Sequence, residues 1–195
     1  MAEASLTATG LVLAGEVHGI EQTPRAVHAL ARRLGIDALA FEWSWDQFDH
    51  VVQPVLVTGR VDRGALRSLP ADAEAFSGDG RFTAGHVRVL EELTPLERLV
   101  LVDELESESA RAREEHMAAR LLDGRRRSGR MLAVTGSWHA ALESSDGVEP
   151  AAAILAGALP RLARVMLAPD DGGWHGFDAE LPLGIGRPAT VPARD

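Results

Sequence analysis

The chain of 195 residues contains no cysteine. Disulfides, thiolate nucleophiles and zinc–thiolate sites are therefore excluded together. Lysine is also missing, so all 20 basic residues are Arg. With Ala abundant, that usage reads as the bias of a GC-rich genome rather than as a functional signal. Long apolar runs are missing too, and the N-terminal MAEASLTATG has no basic region, apolar core or lipidation Cys. The expectation is a cytoplasmic protein without signal peptide or transmembrane segment. Positive charge is in short supply: 29 acids face 20 bases, for a formal charge of −9. The basic run Arg125-Arg126-Arg127 has no interleaved aromatics, so it reads as a solvated helix end, and nucleic acid is not an expected partner.

What is present is an ordinary globular composition, 46% hydrophobic and 25% charged, at a length that suits one domain with a real core. Residues 1–195 are read as that single domain, with 170–195 a Gly/Pro-rich arm or lid. Short apolar runs alternate with longer amphipathic ones. This predicts an α/β fold, three layers α/β/α around a mainly parallel sheet of about five strands. The strands are expected near Gly10–Ala14, Ala38–Glu42, Leu99–Val102, in RMLAVTG, and at Ala163–Leu167. The helix in TPRAVHALARRLG has Thr23 as cap, Pro24 in its first turn and Gly35 just past its end. A long helical stretch from Trp45 through Phe76 is broken near Thr58-Gly59 and Pro70, and Ser77–Gly80 form a loop. Further helices cover Thr83–Leu93, SESARAREEHMAARLLDG ending at Gly124, and AAAILAGAL opened by Pro150.

Polar residues fall where the strands stop. Glu16 and His18 follow the first strand, Glu42 ends the second, Asp103 and Glu104 end the third, and His139 follows the fourth. In a parallel sheet all these ends lie along one edge, outside which ligands of open α/β sheets bind. Any one such residue is explained as a satisfied structural group or a helix cap; four strand ends must coincide to build a site. Two of them share a spacing, Gly15-Glu16-Val17-His18 and Gly136-Ser137-Trp138-His139, both G-x-x-H. Glycine there allows a tight turn and close backbone approach by a ligand.

The order GEVHG, FEW, VDE, REEHMA, TGSWHA resembles the superfamily that groups erythromycin esterases, the ChaN haem-binding proteins and the TraB/Tiki proteins. The resemblance runs from about Leu11 to Ala152. REEHMA, Arg113–Ala118, is similar to an R-D-x-x-M-A helix signature, and GSWHAALESSDGVEP looks most like the ChaN-type branch, with its turn at Gly147-Val148-Glu149-Pro150. Erythromycin esterases have one more residue between Gly and His in the first motif. ChaN proteins are lipoproteins that use Tyr toward haem iron, and this chain has no Tyr. Tiki-like proteins are membrane-tethered metalloproteases, and no tether is recognised here.

Three chemistries follow. In a metal-dependent hydrolase, His18 and His139 bind one divalent ion with Glu16 or Glu42 as a further ligand, and Arg113 holds a substrate anion or orients a carboxylate. In metal-free acid–base catalysis, as the likeness to erythromycin esterases implies, one His activates water and Glu16 or Glu42 orients it; the same pair serves a lyase or cyclase. In a non-enzymatic module, haem or another flat ligand sits against Trp43, Trp45, Trp138 or Trp174. Catalytic roles are thus read for Glu16, His18, Glu42, Arg113 and His139, and substrate contacts for Trp43, Asp103, Glu104 and Trp138. The order of expectation is a hydrolase-like enzyme on a small molecule, metal optional, then binding without turnover. A place in specialised metabolism is an analogy with other small members of the superfamily. His28, His50 and His116 read as structural or surface residues. His86 reaches the edge only if its helix begins there, and His175 lies on the tail. No G-x-S-x-G elbow supports a serine nucleophile. The pattern leaves substrate, metal dependence and oligomeric state open.

Overall fold

The computed structural model describes residues 2–20, 22–73, 78–104, 106–144 and 147–167. The proposed arm with Trp174 and His175, the end of the long helical stretch at 74–76 and Ser77 of the loop lie outside them. The fold is α/β. Its elements are α1 (Ala2–Thr9), β1 (Leu11–Glu16), α2 (Gln22–Leu34), β2 (Ala38–Ser44), α3 (Trp45–Val52), α4 (Val55–Thr58), α5 (Arg63–Arg67), α6 (Ala84–Glu92), β3 (Arg98–Asp103), α7 (Ala110–Arg126), β4 (Met131–Gly136), α8 (Ala151–Ala158) and β5 (Ala163–Met166). The five strands form one sheet in the order β3-β2-β4-β1-β5, with every pair parallel.

The central strands β2, β4 and β1 are apolar on both faces because both faces are covered. Val12, Ala14, Leu39, Phe41, Leu132 and Val134 pack in one core with Val27, Ala31 and Leu34 of α2 and Phe48 of α3. Their sequence neighbours Leu11, Leu13, Ala38, Ala40, Met131 and Ala133 pack in a second core with Met117 and Leu121 of α7 and Leu155 of α8. This period-two alternation makes the three layers. Gly124 lets α7 lie close on the sheet, since a Cβ there would come within 2.8 Å of Val100 Cγ2.

Chain direction sets the site. The connections leaving β1 and β2 run over the first face, and those leaving β3 and β4 run over the second. β4 lies between β1 and β2, so neighbouring strands send their chains to opposite faces. A crevice opens at their C-terminal ends, where α/β sheets hold ligands.

Three expectations need correcting. The stretch after Trp45 is three short helices, α3 to α5, because Pro54, Gly59 (φ +70°) and the Asp62 cap each restart the chain. Thr23 lies inside α2, which begins at Gln22, rather than capping it. The N-terminal residues form α1, which the sequence pattern did not announce. Among the described residues, no helix is long and apolar enough to cross a membrane.

Candidate functional site

Glu16 and Gly136 are the last residues of β1 and β4 and pair in register. Glu42 comes two residues before the end of β2, and Asp103 closes β3. All three carboxylates are buried. Such burial is tolerable only with partners, and the partners define the site.

Glu42 is the hub. Its Oε2 accepts the backbone N–H of Gly136 at 2.5 Å, and its Oε1 accepts from Arg113 Nη2 at 2.9 Å. His139 Nε2 lies 3.2 Å from Oε1, and Arg81 Nη1 lies 3.6 Å from the same oxygen. Burial would raise its pKa, but His139 above all, then His18 and the Gly136 N–H, hold it well below the usual carboxylate range.

His139 has a second carboxylate behind it. Its Nδ1 is 2.7 Å from Glu114 Oε1, and Glu114 Oε2 accepts the backbone N–H of Ala151 at 2.8 Å. Burial pulls the imidazole pKa down, yet Glu114 and Glu42 together push it up to about 9. Around neutral pH this ring is a cation between two acids.

His18 is bound on one side only. Its Nδ1 meets Glu16 Oε1 at 3.0 Å, while its Nε2 stands 3.8 Å from Glu42 Oε2, beyond hydrogen-bond reach. Burial lowers its pKa, but Glu16 and Glu42 outweigh burial and the net shift is upward. Glu16 shifts downward: burial opposes, and His18 and His86 prevail. On the β3 side, Arg113 forks onto Asp103 through Nε (2.8 Å to Oδ1) and Nη2, and Arg81 Nη1 adds a contact at 3.4 Å. Arg81 also meets Asp79 through Nε at 2.7 Å, so five carboxylates, Glu16, Glu42, Asp79, Asp103 and Glu114, surround two guanidiniums, and the imidazoles of His18 and His139 stand in an acidic setting.

Neither motif glycine has a positive φ; Gly136 opens a turn in which the His139 N–H donates to its carbonyl at 3.0 Å, and both glycines allow close approach. A Cβ on Gly15 would come within 2.7 Å of Ala140 Cβ. One on Gly136 would sit 3.1 Å from His18 Nε2 and 3.2 Å from Glu42 Oε2, so bare backbone forms the floor between the two. Gly19, next to His18, has a positive φ of +77°. Gly80 packs against it with no room for a Cβ, which carries the neighbouring Arg81 to the site.

The structure therefore brings Glu16, His18, Glu42, Asp103, Arg113 and His139 together. It separates others. Trp43 is 1% exposed, stacked on Phe41 at 4.1 Å, and its Nε1–H donates to the Arg81 carbonyl at 2.6 Å; it is a core residue rather than a substrate wall. Trp138 is partly exposed, edge-on to the His139 ring at 5.0 Å. Trp45 lies elsewhere, under Arg120. Glu104 pairs with His116 at 3.5 Å. With Arg81, Asp103, Ser107, Ser109 and Arg113 it lines a cleft of about 390 Å³ beside the site. His28 faces Glu92 at 3.6 Å, and His50 is exposed.

The chain matches no family model, no curated protein and no solved structure. Its likeness to the superfamily named above rests on the quoted motifs.

Among the described residues, no group of three or more His, Asp or Glu is arranged to hold a metal ion. The donors explain why. Both nitrogens of His139 face carboxylates, both oxygens of Glu42 accept N–H groups, and His18 Nδ1 is taken by Glu16. As placed, the set reads as an ion-pair network rather than a ligand shell.

Two members were missed from sequence, Arg81 and Glu114; His86 was expected at the edge only if its helix began there, and α6 begins at Ala84. Glu114 had a signal: it shares a helical stripe with Met117, Ala118 and Leu121, as His86 does with Val89 and Leu90. A charged or titratable residue on a buried stripe needs a partner. Arg81, in a Gly-flanked loop, had none.

Proposed function

We propose that the chain is a hydrolase-like enzyme using His/Glu acid–base chemistry without a metal, on a small molecule with an ester or lactone carbonyl, and that it belongs to the erythromycin esterase, ChaN and Tiki superfamily its motifs resemble. One observation carries the reading: His18 is held through Nδ1 by Glu16 and, among the described residues, its Nε2 has no hydrogen bond, facing the Glu42–His139 pair across the bare Gly136 backbone.

In this reading His18 Nε2 takes a proton from water as the water oxygen attacks the carbonyl carbon. The positive charge gathering on the ring is met by Glu16 and by Glu42. The same Nε2 returns the proton to the departing oxygen as the C–O bond breaks, so no proton is gained or lost over the cycle. Glu42 stays ionised because His139 above all, then His18 and the Gly136 N–H, hold it so. His139 and Arg113 act through Glu42, and Arg113 also fixes Asp103 at the mouth of the cleft. Trp138 supplies an apolar edge to the substrate. The same base supports an elimination or ring closure on an acidic C–H.

The test is a panel of p-nitrophenyl esters and small lactones, assayed with EDTA, on wild type, His18→Ala and Glu16→Gln. Turnover that survives chelation and falls by about 100-fold or more in His18→Ala supports the reading. No turnover across the panel, turnover undiminished in His18→Ala, or loss with EDTA restored by one metal would overturn it.

A further inference from the structure

We infer that His86 is a positioning residue for Glu16: a second imidazole that presents an Nε2–H to the far oxygen of the carboxylate holding His18. It belongs to neither G-x-x-H motif and comes from α6. The inference rests on the acid–base reading only for its catalytic consequence.

His86 is 2% exposed, in the first turn of α6, whose cap is Thr83. Thr83 Oγ1 accepts the backbone N–H of His86 at 3.4 Å and lies 2.9 Å from its ring Nδ1. A hydroxyl has one proton and two lone pairs. With one lone pair given to the backbone, the hydroxyl can donate to Nδ1 or accept from it, but the carboxylate turned toward Nε2 only accepts, so the arrangement that satisfies both ring nitrogens has the hydroxyl donating to Nδ1. The neutral ring then carries its own proton on Nε2, the atom turned toward Glu16.

Nε2 of His86 and Oε2 of Glu16 stand 3.7 Å apart. Both are buried, and neither has a hydrogen-bond partner among the described residues. A buried donor and a buried carboxylate oxygen are each costly when unpaired, so the pair closes by a small rotation of either side chain. The ring plane is set by apolar walls: Phe41 and Trp43 meet it edge-on, at 5.6 and 5.9 Å. This also gives Trp43 a role, as a buttress behind the site.

The consequence falls on His18. Glu16 must offer Oε1 to His18 Nδ1 so that the neutral His18 keeps its proton there and its lone pair on Nε2. With Oε2 pinned by His86 the carboxylate has one orientation; without that donor it can turn, and the His18 tautomer is no longer fixed.

The experiment is long-range 1H–15N correlation of the imidazole nitrogens, with the histidines neutral, in wild type, His86→Phe and His86→Gln. Phe keeps the ring against Phe41 and Trp43 but has no donor. Gln keeps an N–H within reach of Glu16. The expected result is Nε2–H on His86 and Nδ1–H on His18 in wild type, loss of the fixed His18 tautomer in His86→Phe, and its return in His86→Gln. Nδ1–H on His86, or an unchanged His18 tautomer in a folded His86→Phe, overturns the inference. Should His86→Phe not fold, the wild-type tautomer of His86 decides alone. The spectra need no turnover, so failure of the hydrolase reading and failure of this one are separate events.

Discussion

The Gly136 backbone N–H donates to Glu42 Oε2, so the end of β4 holds the carboxylate of its neighbour β2. Strand pairing thereby fixes a charged group without a loop, and elements held by sheet hydrogen bonds position a site more firmly than loops do. The bond also leaves no space above Gly136, which makes that glycine the most direct probe of the site.

Gly136→Ala places a methyl 3.1 Å from His18 Nε2, 3.2 Å from Glu42 Oε2 and 3.5 Å from His139 Cδ2. Those side chains must give way by a few tenths of an ångström, and overpacking of this kind costs about 1–3 kcal/mol. His18 is the most exposed of the three, so it moves furthest and loses its attraction to Glu42. The expected outcome is a His18 titration shifted down from its wild-type position, read by NMR, with a folded protein and reduced turnover. An unmoved His18 titration would count against the geometry.

The pH dependence of stability has a definite sign. His139 titrates at about 9 in the folded chain against an ordinary value of 6.5. Its contribution is fully present below about pH 6.5 and is lost as pH rises through 9. At about 1.4 kcal/mol per unit this is on the order of 3 kcal/mol, and the raised His18 adds in the same sense. Glu16 and Glu42 are depressed from 4.5, so their contribution is present above that value and lost as pH falls below it. Urea midpoints should peak between about pH 4.5 and 6.5 and fall toward pH 9. A flat or rising profile from 6.5 to 9 would contradict the charge assignment.

Glu114→Gln isolates the second carboxylate on His139. Burial remains, one of the two acids that outweigh it is gone, and the His139 pKa should drop from about 9 toward its ordinary range. The amide also leaves the Ala151 N–H its oxygen acceptor, so the fold survives. NMR titration of the His139 ring checks the shift, and the fall in stability above pH 6.5 should flatten in the same variant.

Much of this site was legible in the sequence, for a physical reason. Glu16, Glu42, Asp103 and His139 stand where apolar runs stop, and a parallel sheet gathers such ends on one edge. Arg113 lay in the clearest helix. What stayed hidden is pairing across elements. Glu114 stands next to Arg113 in sequence, yet only the packing of α7 on β4 and α8 shows it beneath His139. The pattern places His86 on a helix; that it faces Glu16 depends on how α6 packs beside α2 on that side of the sheet. Trp43 misled because a residue beside Glu42 in sequence points to the other face of the sheet. The helix α1 was missed because Leu6 is the one large apolar residue in AEASLTAT, with just Ala2 and Thr9 beside it among the described side chains turned inward. The pattern reads the glycines of the paired motifs as allowing a turn and a close approach; Gly136 does both, while Gly15 makes room for Ala140 and Met166.

Arg113 is the strongest structural test, because it spans Glu42 and Asp103 from α7. Both carboxylates are about 3% exposed, and the fork to Asp103 raises the Arg113 pKa further. Arg113→Ala leaves Arg81, at 3.4 and 3.6 Å, as the remaining guanidinium for the pair. Breaking a buried ion pair from one side costs about 3–5 kcal/mol. Arg113→Lys keeps the charge but loses the planar fork, and should fall between wild type and Ala. Urea denaturation at pH 6 orders the three proteins. If the loss is electrostatic, lowering the pH toward 4 narrows the gap between wild type and Arg113→Ala, since protonating the stranded carboxylates relieves the variant first. A gap that stays constant with pH would mean that Arg113 acts by packing its stem on the sheet, and its place in the charge network would have to be withdrawn.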